Sequence, residues 1–180
     1  MTLHDDALAV LTGWAAYSPE QAALRDRFVE HLRTRPDGTT RGCFPAHFTA
    51  GTLVVSEDRS HVLLNLHGKA KRWFAFGGHC EPGDASLRAA AEREAREESG
   101  LAEFELLPGP VQLSAHPVGF CHPDGVVDHL DVRYVAVAPY VEPVVSEESL
   151  DVRWWPVESA PTTEPEMLEL IALAVAARGR

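Results

Sequence analysis

The chain has 180 residues, 45% of them hydrophobic, and a formal net charge of −11 at pH 7. That length and apolar content suit one domain with a real core and an appended segment. The negative charge excludes a nonspecific binder of nucleic-acid polymers, but leaves a small anionic substrate open where bound cations reverse the sign of a pocket.

Taken in chain order, apolar and charged residues alternate at helical spacing from about Asp5 to Leu32, with Ser18-Pro19-Glu20 as a break and restart. Two short helices are expected there. Thr34 to Arg41 is rich in Pro, Gly, Asp and Thr and reads as a linker, so residues 1–40 form a helical extension and 41–180 the main domain. His47–Ser56 and His61–His67 are strand-like and joined by the polar turn Glu57-Asp58-Arg59-Ser60, a hairpin pattern. Trp73–Phe76 is a short strand leading into Gly77-Gly78. A helix follows, with Asp84 as its expected N-cap and Gly100 as its terminator. Phe104–Leu107 and Val111–Val118 read as extended, Pro117–Asp128 as a loop, and Asp131–Val141 as a strand in mid-sheet. Asp151–Val157, anchored by Trp154-Trp155, is the last strand, and Glu164–Ala177 is an apolar-faced helix. This order implies an α+β fold with a mixed sheet sandwiched between helices.

The chemistry concentrates in the middle helix. At about 100° per residue, Glu94, Glu97 and Glu98 fall within an arc of about 100°, on the side that carries Leu87, Ala90 and Ala91. Arg88, Glu92 and Arg96 lie opposite at spacings of four and neutralise one another. Arg93, four before Glu97, is the local counter-charge to the inner acids. Carboxylates that close repel one another unless a cation intervenes. Hard oxygen ligands select Mg²⁺, Mn²⁺ or Ca²⁺, and a site with few carboxylates suits Mg²⁺ best, with Mn²⁺ as the alternative. The two glycines before the helix, lacking Cβ, let the backbone approach a ligand closely.

The run from Gly78 through Arg93-Glu94-Ala95-Arg96-Glu97-Glu98-Ser99-Gly100-Leu101 resembles the box of the Nudix hydrolases. His47-Phe48-Thr49-Ala50, Leu63 to Lys69 with Trp73, and His129-Leu130-Asp131-Val132-Arg133-Tyr134 extend the resemblance over roughly residues 45–160. Two departures stand out. Asp84 replaces the first Glu of the box, with one residue inserted between it and Arg93, and Phe76 stands where many relatives have Pro. The acid at the position of Asp84 is expected to brace the loop, with a shifted helix start.

The resemblance implies an α/β/α sandwich and a Mg²⁺-dependent pyrophosphohydrolase acting on a nucleoside diphosphate linked to another group. Glu94, Glu97, Glu98 and the Gly78 carbonyl would hold the metal, with Arg93 in the catalytic set. The base that takes the proton of the attacking water would be Glu94 or Glu98 on the helix, or Glu147 or Glu148 from a distant loop, for which an ordinary acidic loop is the alternative. Lys69 and Arg72, with His67 and Lys71, are candidates for substrate phosphates or a plain basic loop. Gly77 and His129 are further candidate substrate contacts; His129 shares a strand face with Asp131, and a structural histidine is the alternative reading. Trp73, Phe74, Phe76 and Phe120 are base-stacking or core residues.

Cys43, Cys80 and Cys121, odd in number and without CxxC spacing, read as free thiols of a reducing compartment. A zinc site would call on Cys80, Cys121, His79 and His122, but no spacing supports it. Met1 to Asp6 lacks a basic start and no apolar run reaches membrane-spanning length. The expected setting is the cytoplasm, with a small nucleotide or diphosphate as partner, no membrane, and a homodimer left open. Two other functions stay in view: a noncatalytic nucleotide-binding or regulatory domain, and an enzyme like the isopentenyl diphosphate isomerases, for which Cys80 would be the catalytic thiol.

Overall fold

In the computed structural model, which describes residues 2–68, 70–145 and 149–177, two capped helices come first. In α1 (Leu3–Gly13) Thr2 and Asp5 form a reciprocal capping box, and α2 (Pro19–Thr34) starts on Ser18, whose hydroxyl accepts from Gln21 N, with Pro19 in the first turn. The strands are β1 (Ala46–Ser56), β2 (His61–His67), β3 (Trp73–Phe74) and β4 (Phe76–His79), followed by α3 (Leu87–Ser99). Then come β5 (Glu105–Leu106), β6 (Gln112–His122), β7 (Gly125–Ala138), β8 (Ser149–Pro156) and α4 (Pro165–Ala176).

The eight strands form one mixed sheet around β1 and β7, which run parallel in register from Ala46↔Asp128 to Ser56↔Ala138. On its other edge β1 pairs antiparallel with β4 over Thr49–Thr52 and with β2 at Val54–Val55. Strand alternation sorts side chains onto two faces. Phe48, Ala50, Val54, Leu130, Val132, Tyr134 and Ala136 face α1, α2 and α3, burying Leu11, Phe28, Leu32, Leu87 and Ala91 with them. Leu53, Val55 and Val135 face α4 through Met167, Leu170 and Ile171. No helix among the described residues is long and apolar enough to cross a membrane.

Three elements differ from the sequence reading. Pro117–Asp128 is not a loop: β6 and β7 form a long hairpin closed at His122↔Gly125. Its turn needs only Pro123-Asp124, with Gly125 at φ 130°, a conformation glycine adopts freely. Trp73–Phe76 is split between β3, which pairs with β2, and β4, which pairs with β1. Finally, Ser86 caps α3, its hydroxyl accepting from Ala89 N at 3.0 Å, which frees Asp84 for another task. Gly100 ends the helix at φ 63° as expected.

The N-terminal helices share the core. Gln21 is 6% exposed; its Nε2 donates to Leu113 O at 2.9 Å and its Oε1 accepts from Leu113 N at 2.8 Å. One side-chain amide thereby satisfies the outer edge of β6 as a neighbouring strand would. Gln21→Ala leaves both backbone groups unpaired, and we expect a loss of about 2–3 kcal/mol, read as a fall in Tm of roughly 5–10 °C. An unchanged Tm would mean that the helices lie on the domain without stabilising it.

Candidate active site

The acidic face of α3 meets the β4 backbone. Gly78 stands opposite Ala50 across β1 and points toward the helix; a Cβ there would lie 2.5 Å from Glu94 Oε1, so any larger residue would push that carboxylate aside. A Cβ on Gly77 would meet Gly51 Cα at 2.8 Å, so that residue too is fixed by close approach. Gly77 N donates to Glu98 Oε2 at 2.9 Å, and Asn65 Nδ2 of β2 donates to Glu98 Oε1 at 3.2 Å.

Arg93 is the hub. Its Nε and Nη2 grip Asp84 at 3.1 and 3.0 Å, Nη1 reaches Glu94 at 2.8 Å and Glu97 at 3.1 Å, and Nη2 also donates to His79 O at 2.9 Å. The Asp84 hydrogen bonds, followed by Glu94, raise its already high pKa further, so the charge is permanent. Asp84 also accepts from Glu81 N at 2.7 Å and its side chain is 6% exposed. It braces the loop. The inserted residue therefore moves the helix start to Ser86 and leaves the Asp84–Arg93 clamp in place. Arg88, Glu92 and Arg96 pair along the outer face at 3.6 and 2.9 Å.

The other candidates separate. Arg72 is an ion-pair partner of Glu164, just before α4, and lies against the Phe74 ring. Lys69, Glu147, Glu148 and the Phe120 side chain lie outside the described residues. Phe76 is core, and Trp73 packs edge-on against Trp155 at 5.2 Å. Trp154 donates to Val141 O at 2.7 Å and anchors β8.

His129 falls on the opposite sheet face, with Asp131 and Arg133. Burial pushes the Asp131 carboxyl up, but Arg133 at 2.8 Å and the Thr49 hydroxyl at 3.0 Å outweigh it and hold the group below its ordinary value. Around His129 gather His47, His79 and Cys121, the one group of potential metal-ligating side chains among the described residues whose ligand atoms all lie within 4.8 Å of one another. Burial, followed by neighbouring imidazoles, depresses His129 to about 3 and His79 to about 4. These rings are neutral at pH 7. The sequence reading linked His79 with Cys121 but joined them to Cys80 and His122, and it left out His47 because no spacing ties β1 to the rest. Asn65 was also missed; its signal is an amide inside the apolar run Leu63-Leu64-Asn65-Leu66. Cys80 is 6% exposed, and burial raises its thiol to about 12.

A NUDIX domain family model matches residues 45–174. No curated protein matches the chain significantly. Among solved structures, a NUDIX-family hydrolase from Clostridium perfringens is 27% identical, with a TM-score of 0.55, over 72% of this chain and 96% of that one. The Escherichia coli dihydroneopterin triphosphate pyrophosphohydrolase shares the fold at 18% identity and a TM-score of 0.61, covering 72% of this chain and 94% of its own. A Caenorhabditis elegans Ap4A hydrolase does so at 18% identity and 0.59, over 72% and 95%. The match over residues 45–174, which takes in β1, β4 and the whole acidic helix, shows that the chain belongs to the Nudix hydrolase family.

Proposed function

We propose that the chain is a divalent-cation-dependent pyrophosphohydrolase that cleaves the diphosphate of a nucleoside diphosphate linked to another group. The observation behind this reading is the joint between α3 and β4, where the Glu94 carboxylate occupies the space a side chain at Gly78 would fill and Glu98 is aimed by Asn65 and Gly77 N.

The donor set suits a hard cation: Glu94, Glu97, Glu98 and the Gly78 carbonyl offer only oxygen, as Mg²⁺ or Mn²⁺ prefers. Asn65 Oδ1, on the amide that reaches Glu98, is buried and among the described residues without a donor, a partner that the water of a hydrated cation would provide. Bound there, the cation supplies neutralisation of phosphate oxygens and a more acidic water. The chain's own work is positioning. Arg93 fixes Glu94 and Glu97 against the loop held by Asp84, and the Gly77-Gly78 segment of β4 holds Glu98 and would present its backbone to the diphosphate. For the base that takes the proton of the attacking water, Glu147 or Glu148 is supported by the path of the chain. Val144 N donates to Ser99 O at 3.0 Å, so the segment leading to those acids departs from the end of α3 beside Glu98.

A phosphate-release screen with Mg²⁺ or Mn²⁺ over nucleotide sugars, dinucleoside polyphosphates, NADH, ADP-ribose and (d)NTPs tests this. Turnover of at least one compound, abolished by chelator, is expected. Absence of turnover across the panel would favour a noncatalytic nucleotide-binding domain.

A further inference from the structure

His47, His79, Cys121 and His129 come from four different strands, β1, β4, β6 and β7, and converge on one point. We propose that these four side chains form a closed tetrahedral site for Zn²⁺, distinct from the carboxylates of α3.

Three features argue for an ion. The first is shape: the rings of His47, His79 and His129 stand 5.0, 5.1 and 5.0 Å apart, a near-equilateral triangle, and each turns Nε2 toward Cys121 Sγ. The nitrogen–sulfur distances are 3.0 Å for His79, 3.2 Å for His129 and 3.7 Å for His47. Zinc bonds of about 2.0–2.1 Å to nitrogen and about 2.3 Å to sulfur make the nitrogen–sulfur edge of a tetrahedron about 3.5 Å. The three nitrogen–sulfur edges lie within about half an ångström of that value.

The second feature is proton accounting. His47 Nδ1 lies 3.1 Å from Cys43 O, and a carbonyl can only accept, so in the neutral ring Nδ1 carries the hydrogen and Nε2 presents a lone pair. That contact is the outer hydrogen bond that metal-bound histidines characteristically make. A thiol has one hydrogen and cannot serve three converging nitrogens. A cation bound to the thiolate, with the thiol proton released to solvent, satisfies all four groups.

The third is chemistry and access. One thiolate with three imidazoles selects a borderline-soft ion over Mg²⁺. Four protein ligands leave no open position, the mark of a structural site. His116, its ring 5.6 Å from that of His129, has Nδ1 at 3.4 Å from Ser114 Oγ and stays outside the ligand set.

The position gives the ion a task. His79 and Gly78 are adjacent on β4 and point to opposite faces, and His79 O receives Arg93 Nη2 at 2.9 Å. Zinc on one face would pin the strand that supports the carboxylate site on the other.

The test uses untagged full-length protein, reduced, loaded with Zn²⁺ and desalted, with metal content measured by mass spectrometry. One Zn²⁺ per chain is expected in wild type, in Glu97→Gln and Glu98→Gln, and in Cys80→Ala. Cys121→Ser and His129→Asn should each weaken binding at least about tenfold. Because a ligand variant can also fail to fold, wild type is in addition loaded with Co²⁺, which should give a thiolate-to-cobalt charge-transfer band and tetrahedral visible absorption. Zinc that is retained in Cys121→Ser or lost in the Glu variants, or a Co²⁺ spectrum without the thiolate band, would overturn the proposal. Since it stands apart from the hydrolase reading, failure of one leaves the other intact.

Discussion

Glu97→Gln and Glu98→Gln should each lower hydrolysis at least about a hundredfold under saturating Mg²⁺, the scale of losing a group central to charge stabilisation. The substitution keeps shape and removes the negative charge, so the two variants differ only in their surroundings. Glu97 is 60% exposed and pairs with Arg93 at the surface, so neutralising it should change stability by no more than about 0.5 kcal/mol. Glu98 accepts on both oxygens, from Asn65 Nδ2 and Gly77 N. Its amide would set an N–H against one of those donors, and we expect a further loss of about 1–3 kcal/mol. The pattern to look for is activity lost in both and Tm lowered in Glu98→Gln alone. Wild-type turnover in both would sink the assignment of the cation to α3.

Arg93→Ala should be the most destabilising single change in the site. Asp84 and Glu94, with side chains 6% and 15% exposed, would be left charged without their counter-ion. Breaking a pair of this kind costs about 3 kcal/mol, which for a chain of this size lowers Tm by roughly 6–12 °C. Arg93→Lys should recover only part, because an ammonium cannot make the two-pronged contact to Asp84 while also reaching Glu94, Glu97 and His79 O. Thermal melts of both variants decide it: equal Tm values for Lys and wild type would show that charge alone suffices and that the fork geometry is dispensable.

What could be read without coordinates was the part written in short-range pattern. The α3 wheel placed Leu87, Ala90 and Ala91 in the core and the Arg88–Glu92–Arg96 row outside, because both follow from helical periodicity alone. The β2 bounds, His61–His67, were legible for the same reason: a turn signal before and apolar density within. The β6–β7 hairpin was hidden because Pro117, Gly119, Pro123 and Gly125 look like loop residues one by one; pairing across the strands decides, and pairing leaves little trace in a single sequence. The capping of α3 was misplaced because Asp84 and Ser86 are both good caps, and only the reach of Arg93 to Asp84 separates them. The imidazole cluster was the least legible of all, since its members are brought together by strand order and not by spacing.

The parallel register of β1 and β7 has a kinetic consequence. Contacts that knit the acid patch span short stretches of chain: 9 residues from Asp84 to Arg93, 14 from His79 to Arg93, 21 from Gly77 to Glu98 and 33 from Asn65 to Glu98. Those joining β1 to its later partners span 74 from His47 to Cys121 and 82 from Thr49 to Asp131. Closing long loops is slow, so on refolding the helix and its joint to β4 are expected to form well before β7 docks. An ion seated among the imidazoles would join after that docking. It would lengthen the lifetime of the folded protein while leaving its refolding rate nearly unchanged, as interactions absent from the folding transition state do.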